Sequence, residues 1–492
     1  MPAAMKPGDL FAGRFELEHF VRGPAPAVWR ARDREGGAPV ALSLYADRSD
    51  AAAWLERAAI VAKIQHPAIP RAVARGATEE GQRYVATEWI DGDDLAVRLA
   101  RGSLTVDESL RLTARAAEAL AAAHARGIVH GALTPTALLL PGGDPGRAML
   151  LGLEDGWASA PALVTAAGLA PGGPSYLSPE QAQGGRSGDP RVDIFALGCV
   201  LYECLAGRAA FNGVFALAAL AKALLSNPPP VGRLRDDVPE PIEALVSRML
   251  AKSPEARPSG CAEVIGIVRD VERRRFSGAE NSYLEMPGSE INGDRISEAE
   301  ILKGPPIQSR HIWLVIALGR ARAADADAEP LSTRTAEVTH DYHASVHVLA
   351  DRSCFILVDP ERSMPAGGDP PSSPGEAPVE LQRNAVLLNR LRRARIQALG
   401  GERAARCALG VRASLQGAPM VLTMTPRSRP GEWLSGQSID WATKLLDRGL
   451  RASMQGVIMD KESADLLRAE FFNVTGTGDL LELRGARSTQ GT

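Results

Sequence analysis

The chain has 492 residues, 45% of them hydrophobic and 23% charged, proportions that argue against a disordered chain, a collagen-like repeat or a disulfide-stapled miniprotein. Fifty-six Lys and Arg against 59 Asp and Glu give a formal net charge of -3, so no whole-chain field draws it to nucleic acid or an acidic membrane surface. Only seven of the cations are lysine, which leaves few candidates for chemistry that needs an ammonium group.

The N-terminus, MPAAMKPGDLF, lacks the basic and apolar segments of a signal peptide, and no apolar run is long enough to span a bilayer, which predicts a cytoplasmic protein. Cys199, Cys204, Cys261, Cys354 and Cys407 form an odd set with no CxxC spacing and read as reduced, buried thiols. The length predicts two or three domains. Residues 1–10 read as a tail, and the polar stretch 276–308, rich in Gly, Ser and Glu and closed by Pro-Pro, as a linker. A first domain over 11–275 and a second over 309–490 follow, with 363–380 a long surface loop inside the second.

In chain order the first domain opens with the strand patterns FELEHFV, AVWRARD and PVALSLY, then a helical stretch ending in KIQHPAI, the strand YVATEWI, and long Ala/Leu-rich helical segments. That order predicts a small sheet followed by a helical lobe. The second domain alternates strand and helix patterns: HIWLVIAL, SVHVLADRSCFILV, RNAVLLNRLRRARIQAL, ALGVRAS, PMVLTMT, SIDWATKLLDRG, GVIMD, SADLLRAEF and LLELRG, which predicts an antiparallel α+β sandwich. The arginines between 383 and 406 accompany leucines at 387, 388, 391 and 399 and read as the solvated face of an amphipathic helix. His340, His343 and His347 resemble a metal cluster, but with no nearby Cys and no defined acidic ligand they are not read as ligands.

Landmarks in the first domain fall in a telling order: VRGPAPAVWRARD, PVALSLY, HPAIP, TEWIDGDDL, GIVHGALTPTALLL, GPSYLSPEQAQG, VDIFALGCVLYECLAGRAAF and LAKSPEARPS. Over 11–275 the chain resembles bacterial eukaryotic-like (Hanks-type) Ser/Thr protein kinases, which implies a two-lobed kinase-like fold. The scaffold positions match: Glu180 and Arg257 as the family's buried ion pair, Asp193 tying the central helix to the catalytic loop, and His130 and Pro135 shaping that loop. The resemblance also implies an adenine slot from Gly23, Val28, Ala41, Thr87, Glu88 and Leu139.

The chemistry positions depart from the family. Of the glycine loop only Gly23 remains, and Pro24 and Pro26 remove two N–H donors. Ser43 stands at the third-strand lysine and Arg57 at its glutamate partner, one residue after Glu56. Gly131 and Ala132 stand at the Arg and the proton-accepting Asp, Thr134 at a Lys, Ala137 at the metal-binding Asn, and Gly173 at a Thr of the activation segment. The metal triplet reads either as Gly152-Leu153-Glu154 or, with an insertion, as Glu154-Asp155-Gly156. Glu154 and Asp155 are the candidate residual metal carboxylates.

The second domain resembles the class III nucleotidyl cyclase catalytic domain, in LADRSCFILVD, GQSIDWATKLLD with GVIMDKESADLLRAEF, and LLELRGAR. That resemblance implies a ferredoxin-like α/β sandwich and a surface suited to pairing. The first metal aspartate falls at Ala317, the second at Asp351, the Asn at Asp440, the Arg at Lys444 and the purine-specifying Lys at His347.

These residues predict a catalytically impaired kinase-like regulatory or scaffold protein of bacterial signalling, with no catalytic residue, weak or no ATP and magnesium binding, and no resident metal. The partners expected are proteins (another kinase, an ATPase component or a second copy through 309–490), with no nucleic acid and no membrane. The alternative is an atypical ATP-dependent Ser/Thr kinase in which Arg22, Arg30 or Lys63 replaces the missing lysine.

Overall fold

A computed structural model of the chain describes residues 5–23, 26–45, 51–79, 81–154, 173–185, 188–213, 216–276, 310–318, 342, 344–349, 353–358, 401–413, 419–427, 434–467 and 472–486. The chain divides into two compact units. One comprises Met1–Gln181, Gly185–Phe211 and Pro229–Pro287; the other comprises Ala182–Gly184, Asn212–Pro228 and Gly288–Thr492. The second unit thus takes in segment 212–228, which lies inside the stretch 11–275. The linker at 276–308 lies outside the described residues from 277 onward, as do the loop 363–380 and the arginine-rich stretch up to residue 400.

The first unit begins with strands β1 (Leu10–Phe11), β2 (Phe15–Arg22), β3 (Ala27–Asp33) and β4 (Pro39–Tyr45), helix α1 (Ala51–Val61), and strands β5 (Ala72–Ala77) and β6 (Arg83–Glu88). The strands form one antiparallel sheet in the order β1-β2-β3-β4-β6-β5. Its two faces follow from the period-2 alternation of side chains. Phe15, Leu17, Trp29, Ala31, Val40, Leu42, Leu44 and Ala86 make one buried cluster. Val28, Ala41, Ser43, Val85 and Thr87 lie on the other face, in the cross-strand pairs Val28↔Ser43, Ser43↔Val85 and Ala41↔Thr87. There α1 packs Trp54 and Ala58 against Tyr45 and Val85.

Strand β7 (Gly92–Asp94) leads into helices α2 (Leu95–Leu99) and α3 (Val106–His124), then β8 (Leu138–Pro141) and β9 (Met149–Leu150), which with β7 form a second, three-stranded sheet. A capping box starts α3: Thr105 accepts the Glu108 N–H while Glu108 reaches back to the Thr105 backbone. Helix α4 (Pro179–Ala182) and helix α5 (Arg191–Ala206) follow. Helix α5 is buried on nearly every side, as its almost continuous apolar sequence requires, and ends at Gly207 with φ 69°. Helices α7 (Glu240–Met249) and α8 (Cys261–Phe276) complete the helical lobe, while α6 (Ala216–Leu225), which lies between α5 and α7 in the chain, belongs to the second unit.

In the second unit β10 (Arg310–Ala317), β11 (Ala344–Val348), β12 (Cys354–Val358), a helix α9 over 401–413, β13 (Met420–Arg427), α10 (Gly436–Arg451), β14 (Val457–Met459), α11 (Lys461–Asp465), β15 (Phe472–Thr477) and β16 (Leu480–Ala486) follow in order. The sheet order is β11-β12-β10-β13-β14-β16-β15. All pairs are antiparallel except β13 with β14, which run parallel because α10 carries the chain across between them. Trp313, Val315, Ile356, Val358, Leu422 and Leu483 fill the core against Ala404, Ala408 and Val411 of α9. Lys222 of α6 pairs with Asp440 of α10 at 2.7 Å. No helix among the described residues is long and apolar enough to cross a membrane.

Candidate functional site: a kinase-type cleft

The catalytic-loop segment is held from below by one carboxylate. Asp193, fully buried near the start of α5, accepts the backbone N–H of His130 at 2.8 Å and of Gly131 at 2.7 Å, and lies 2.8 Å from His124 Nε2. A buried carboxylate is tolerable because each oxygen has charge-assisted donors. From the other side Gln181 donates through Nε2 to the Gly131 carbonyl at 2.8 Å. Gly131 has φ 71°, a left-handed conformation that glycine adopts without steric cost. The His130 imidazole meets the Leu151 carbonyl at 2.9 Å, and burial pushes its pKa below the ordinary 6.5.

The other scaffold pair forms as its residues predict. Arg257, whose side chain is 0% exposed, grips Glu180 with a two-pronged contact of 2.7 and 2.8 Å. Its remaining donors reach the carbonyls of Ala251, Arg191 and Lys252, and the guanidinium lies over Phe195. Gly173 is buried at the start of a short 3-10 turn, Gly173–Tyr176, that leads to Glu180.

Above the loop the chemistry positions look different. Ala132 and Ala137 offer no side-chain polar atom; the Ala137 backbone closes a 3-10 turn onto Thr134, and its carbonyl accepts the Leu151 N–H at 2.8 Å. Ser43 lies on the same sheet face as Val28 and Val85, its cross-strand neighbours. Arg57, on α1, donates to two backbone carbonyls, Leu153 at 2.9 Å and Val129 at 2.5 Å. A guanidinium suits that task, since its donors are spread in a planar fork.

Strand pairing bears on the metal triplet. Leu138↔Leu150 and Leu139↔Met149 are in register, and the Leu151 N–H continues the ladder to Ala137, so Gly152, with φ 82°, is the first residue past the strand. Glu154 is buried in the turn that follows, while Asp155, the other candidate carboxylate, lies outside the described residues, as does Asp351 of the second unit. Among the described residues no group of three or more His, Cys, Asp or Glu is arranged to hold a metal ion.

The residues of the expected adenine slot fall on several elements. Val28, Ala41 and Thr87 share the sheet's cleft face, Leu139 lies on β8, and Glu88 ends β6, its carboxylate accepting the Arg71 N–H at 2.9 Å. Gly23 follows β2 directly; a Cβ there would come within 2.8 Å of the Phe20 ring. Of the replacement cations, Lys63 is exposed and Arg30 is taken by Glu18 at 2.8 Å and stacks over Trp89. Arg22 reaches from the glycine-loop strand to the Thr136 carbonyl at 3.0 Å and lies 3.8 Å from Asp94. In the second unit Ala317 is buried, Lys444 is exposed, and His347 sits mid-strand with its pKa lowered by burial; His340 and His343 lie outside the described residues.

Sequence reasoning missed the tether made by Arg57 and the contacts of His124 and Gln181. The signal for Gln181 was available, since it follows the Glu180 of the SPE motif.

The protein kinase domain family matches residues 22–267, half of the chain. The chain is 30% identical over 292 residues to the serine/threonine-protein kinase pkn3 of Myxococcus xanthus, covering 55% of this chain and 53% of that protein. It is 34% identical over 264 residues to the serine/threonine-protein kinase PkaA of Streptomyces coelicolor, with 49% and 47% covered. A third relative is the DNA damage-responsive serine/threonine-protein kinase RqkA of Deinococcus radiodurans, 32% identical over 268 residues, with 52% and 40% covered. The chain thus spans about half or less of the length of these curated relatives. With its curled sheet, its helical lobe and its Glu180–Arg257 and Asp193 anchors in place, the chain belongs to the protein kinase domain family, among relatives that are bacterial serine/threonine-protein kinases.

Proposed function

We propose that the kinase-type unit is a pseudokinase, a binding and regulatory module of bacterial signalling that keeps the kinase scaffold and transfers no phosphoryl group. The observation that carries this reading is the catalytic loop itself: it is held in place by Asp193 and Gln181, yet Ala132 leaves no carboxylate to accept a substrate hydroxyl proton. Arg57 supports it, because the residue at the glutamate position is a cation engaged with carbonyls and Ser43 brings no charge. The β8–β9 register favours Gly152-Leu153-Glu154 as the metal triplet, which leaves no carboxylate at its first position. This set is a poor fit for magnesium triphosphate, since a polyanion would be desolvated there without compensating charge.

A second reading has one observation in its favour. Arg22 already spans the cleft to the catalytic loop, so it is the cation best located to meet a phosphate in an atypical kinase. For the second unit we propose a degenerate cyclase-like module that pairs with a second copy or another protein and makes no cyclic nucleotide. The order β11-β12-β10-β13, with α9 between β12 and β13, supports a ferredoxin-like core, and Ala317 and Lys444 argue against the chemistry.

The test is phosphoryl transfer by the full chain. Incubation with radiolabelled ATP and magnesium should leave both the protein and generic substrates unlabelled, and adenosine should bind no more weakly than MgATP. Incorporation that disappears in Arg22→Ala or Glu154→Ala would overturn the pseudokinase reading in favour of the second.

A further inference from the structure

The second unit holds a cavity of about 650 Å³ lined by Arg412, the loop 452–456, Thr475, Gly476, Glu482 and Arg484. It lies where α10 ends and β14 begins, and it involves none of the kinase-type cleft.

The charges of this cavity do not cancel. Glu482, buried on β16, spends both carboxylate oxygens in the wall: Oε1 accepts the N–H groups of Gln455 and Gly456, and Oε2 accepts Arg484 Nε at 2.9 Å. That contact fixes the Arg484 guanidinium by one edge, and the side chain remains 65% exposed. Arg412, near the end of α9, is tied by Nη2 to the Gln455 carbonyl. It has no carboxylate partner among the described residues, and its Nε is buried without any hydrogen bond. Two guanidinium groups therefore line one space against one carboxylate already engaged by three donors. The loop is closely specified: Ser453 takes φ 55°, and a Cβ on Gly456 would come within 2.5 Å of Glu482. Ser453 and Thr475, both hydroxyl-bearing, are among the lining residues.

From this arrangement we propose that the cavity binds a phosphorylated small molecule, its phosphate held between Arg412 and Arg484. Two separately fixed forks, with hydroxyls beside them, offer more donors than a planar carboxylate can use, and suit the three terminal oxygens of a phosphate monoester. The volume falls in the range of small-molecule sites, roughly 300–1,000 Å³, so it leaves room for an organic body behind the phosphate.

Calorimetry on the full chain with inorganic phosphate and with ribose 5-phosphate tests this. Ribose 5-phosphate should bind more tightly than phosphate, and hydrogen exchange should slow at 452–456 and 475–484 and not in the kinase-type unit. Arg484→Ala, an exposed position whose loss leaves the core intact, should weaken binding by about tenfold or more, as expected for losing a forked charged contact. Thr475→Val, on the edge strand, should weaken it less. If neither probe binds, if Arg484→Ala binds as the wild type does, or if protection appears elsewhere, the assignment is wrong.

Discussion

The underside and the upper face of the catalytic-loop region have fared in opposite ways. Below, His130 and Gly131 are pinned by Asp193, and Glu180 is locked by Arg257. Above, the positions where the family carries its chemistry hold Ala132, Ala137 and Ser43, side chains without charge. The groups that build this fold and the groups that perform the family's chemistry are therefore different side chains, sometimes adjacent ones. The second can be exchanged for Ala, Gly and Ser without disturbing the first, because the cleft is lined and not packed: losing a polar group there strands no buried partner.

The largest effect should come from the underside. Glu180→Ala leaves the fully buried Arg257 guanidinium without its carboxylate and should cost about 3–5 kcal/mol, read as a large fall in melting temperature. A melting temperature equal to the wild type would dissolve the contrast between the two faces. An intermediate effect is expected at Arg57, a charged residue with a structural task. Arg57→Ala removes charged hydrogen bonds to Val129 and Leu153 and should cost roughly 1.5–3 kcal/mol. Ser43→Ala, by comparison, should be near neutral, and equal losses at the two sites would mean that Arg57 is no tether.

The smallest effect is a pH dependence. Burial lowers the folded pKa of His130 below 6.5, so as pH falls through 6.5 the unfolded chain takes up a proton that the folded chain refuses. Its contribution is fully present above that value and declines below it, by at most about 1.4 kcal/mol per pH unit. His347 shifts in the same direction for the same reason and adds to the trend. Thermal melts of the wild type and His130→Asn from neutral to mildly acidic pH should converge as the pH drops; parallel curves would show that His130 is not buried in its neutral form.

How much of this was legible in the sequence depended on whether a residue's role is local. The strands around Val28, Ala41 and Val85 are readable from alternation, and Glu180, Asp193 and Arg257 from short motifs with fixed neighbours. Arg57 was readable only as a substitution. That it serves carbonyls 72 and 96 residues further along the chain follows from how α1 packs, which no local pattern encodes. The metal triplet has two alignments in the sequence, and the pairing of Leu138 with Leu150 and of Leu139 with Met149 is a long-range feature that no local pattern gives. In the second unit Arg412 and Arg484 are far apart in the chain and belong to no shared motif, so their common cavity had no one-dimensional signal.

All five cysteines are free and buried. Burial holds the Cys261 and Cys407 thiols up at about 12 and raises those of Cys199 and Cys204 as well, so these four carry hardly any nucleophilic thiolate at neutral pH. The native protein is thus poorly reactive toward alkylating agents, and each thiol becomes a reporter that is silent until its surroundings open. Cys199, Cys204 and Cys261 report on the first unit, and Cys354 and Cys407 on the second, so labelling followed by peptide mapping would time the opening of each unit separately within the unaltered chain.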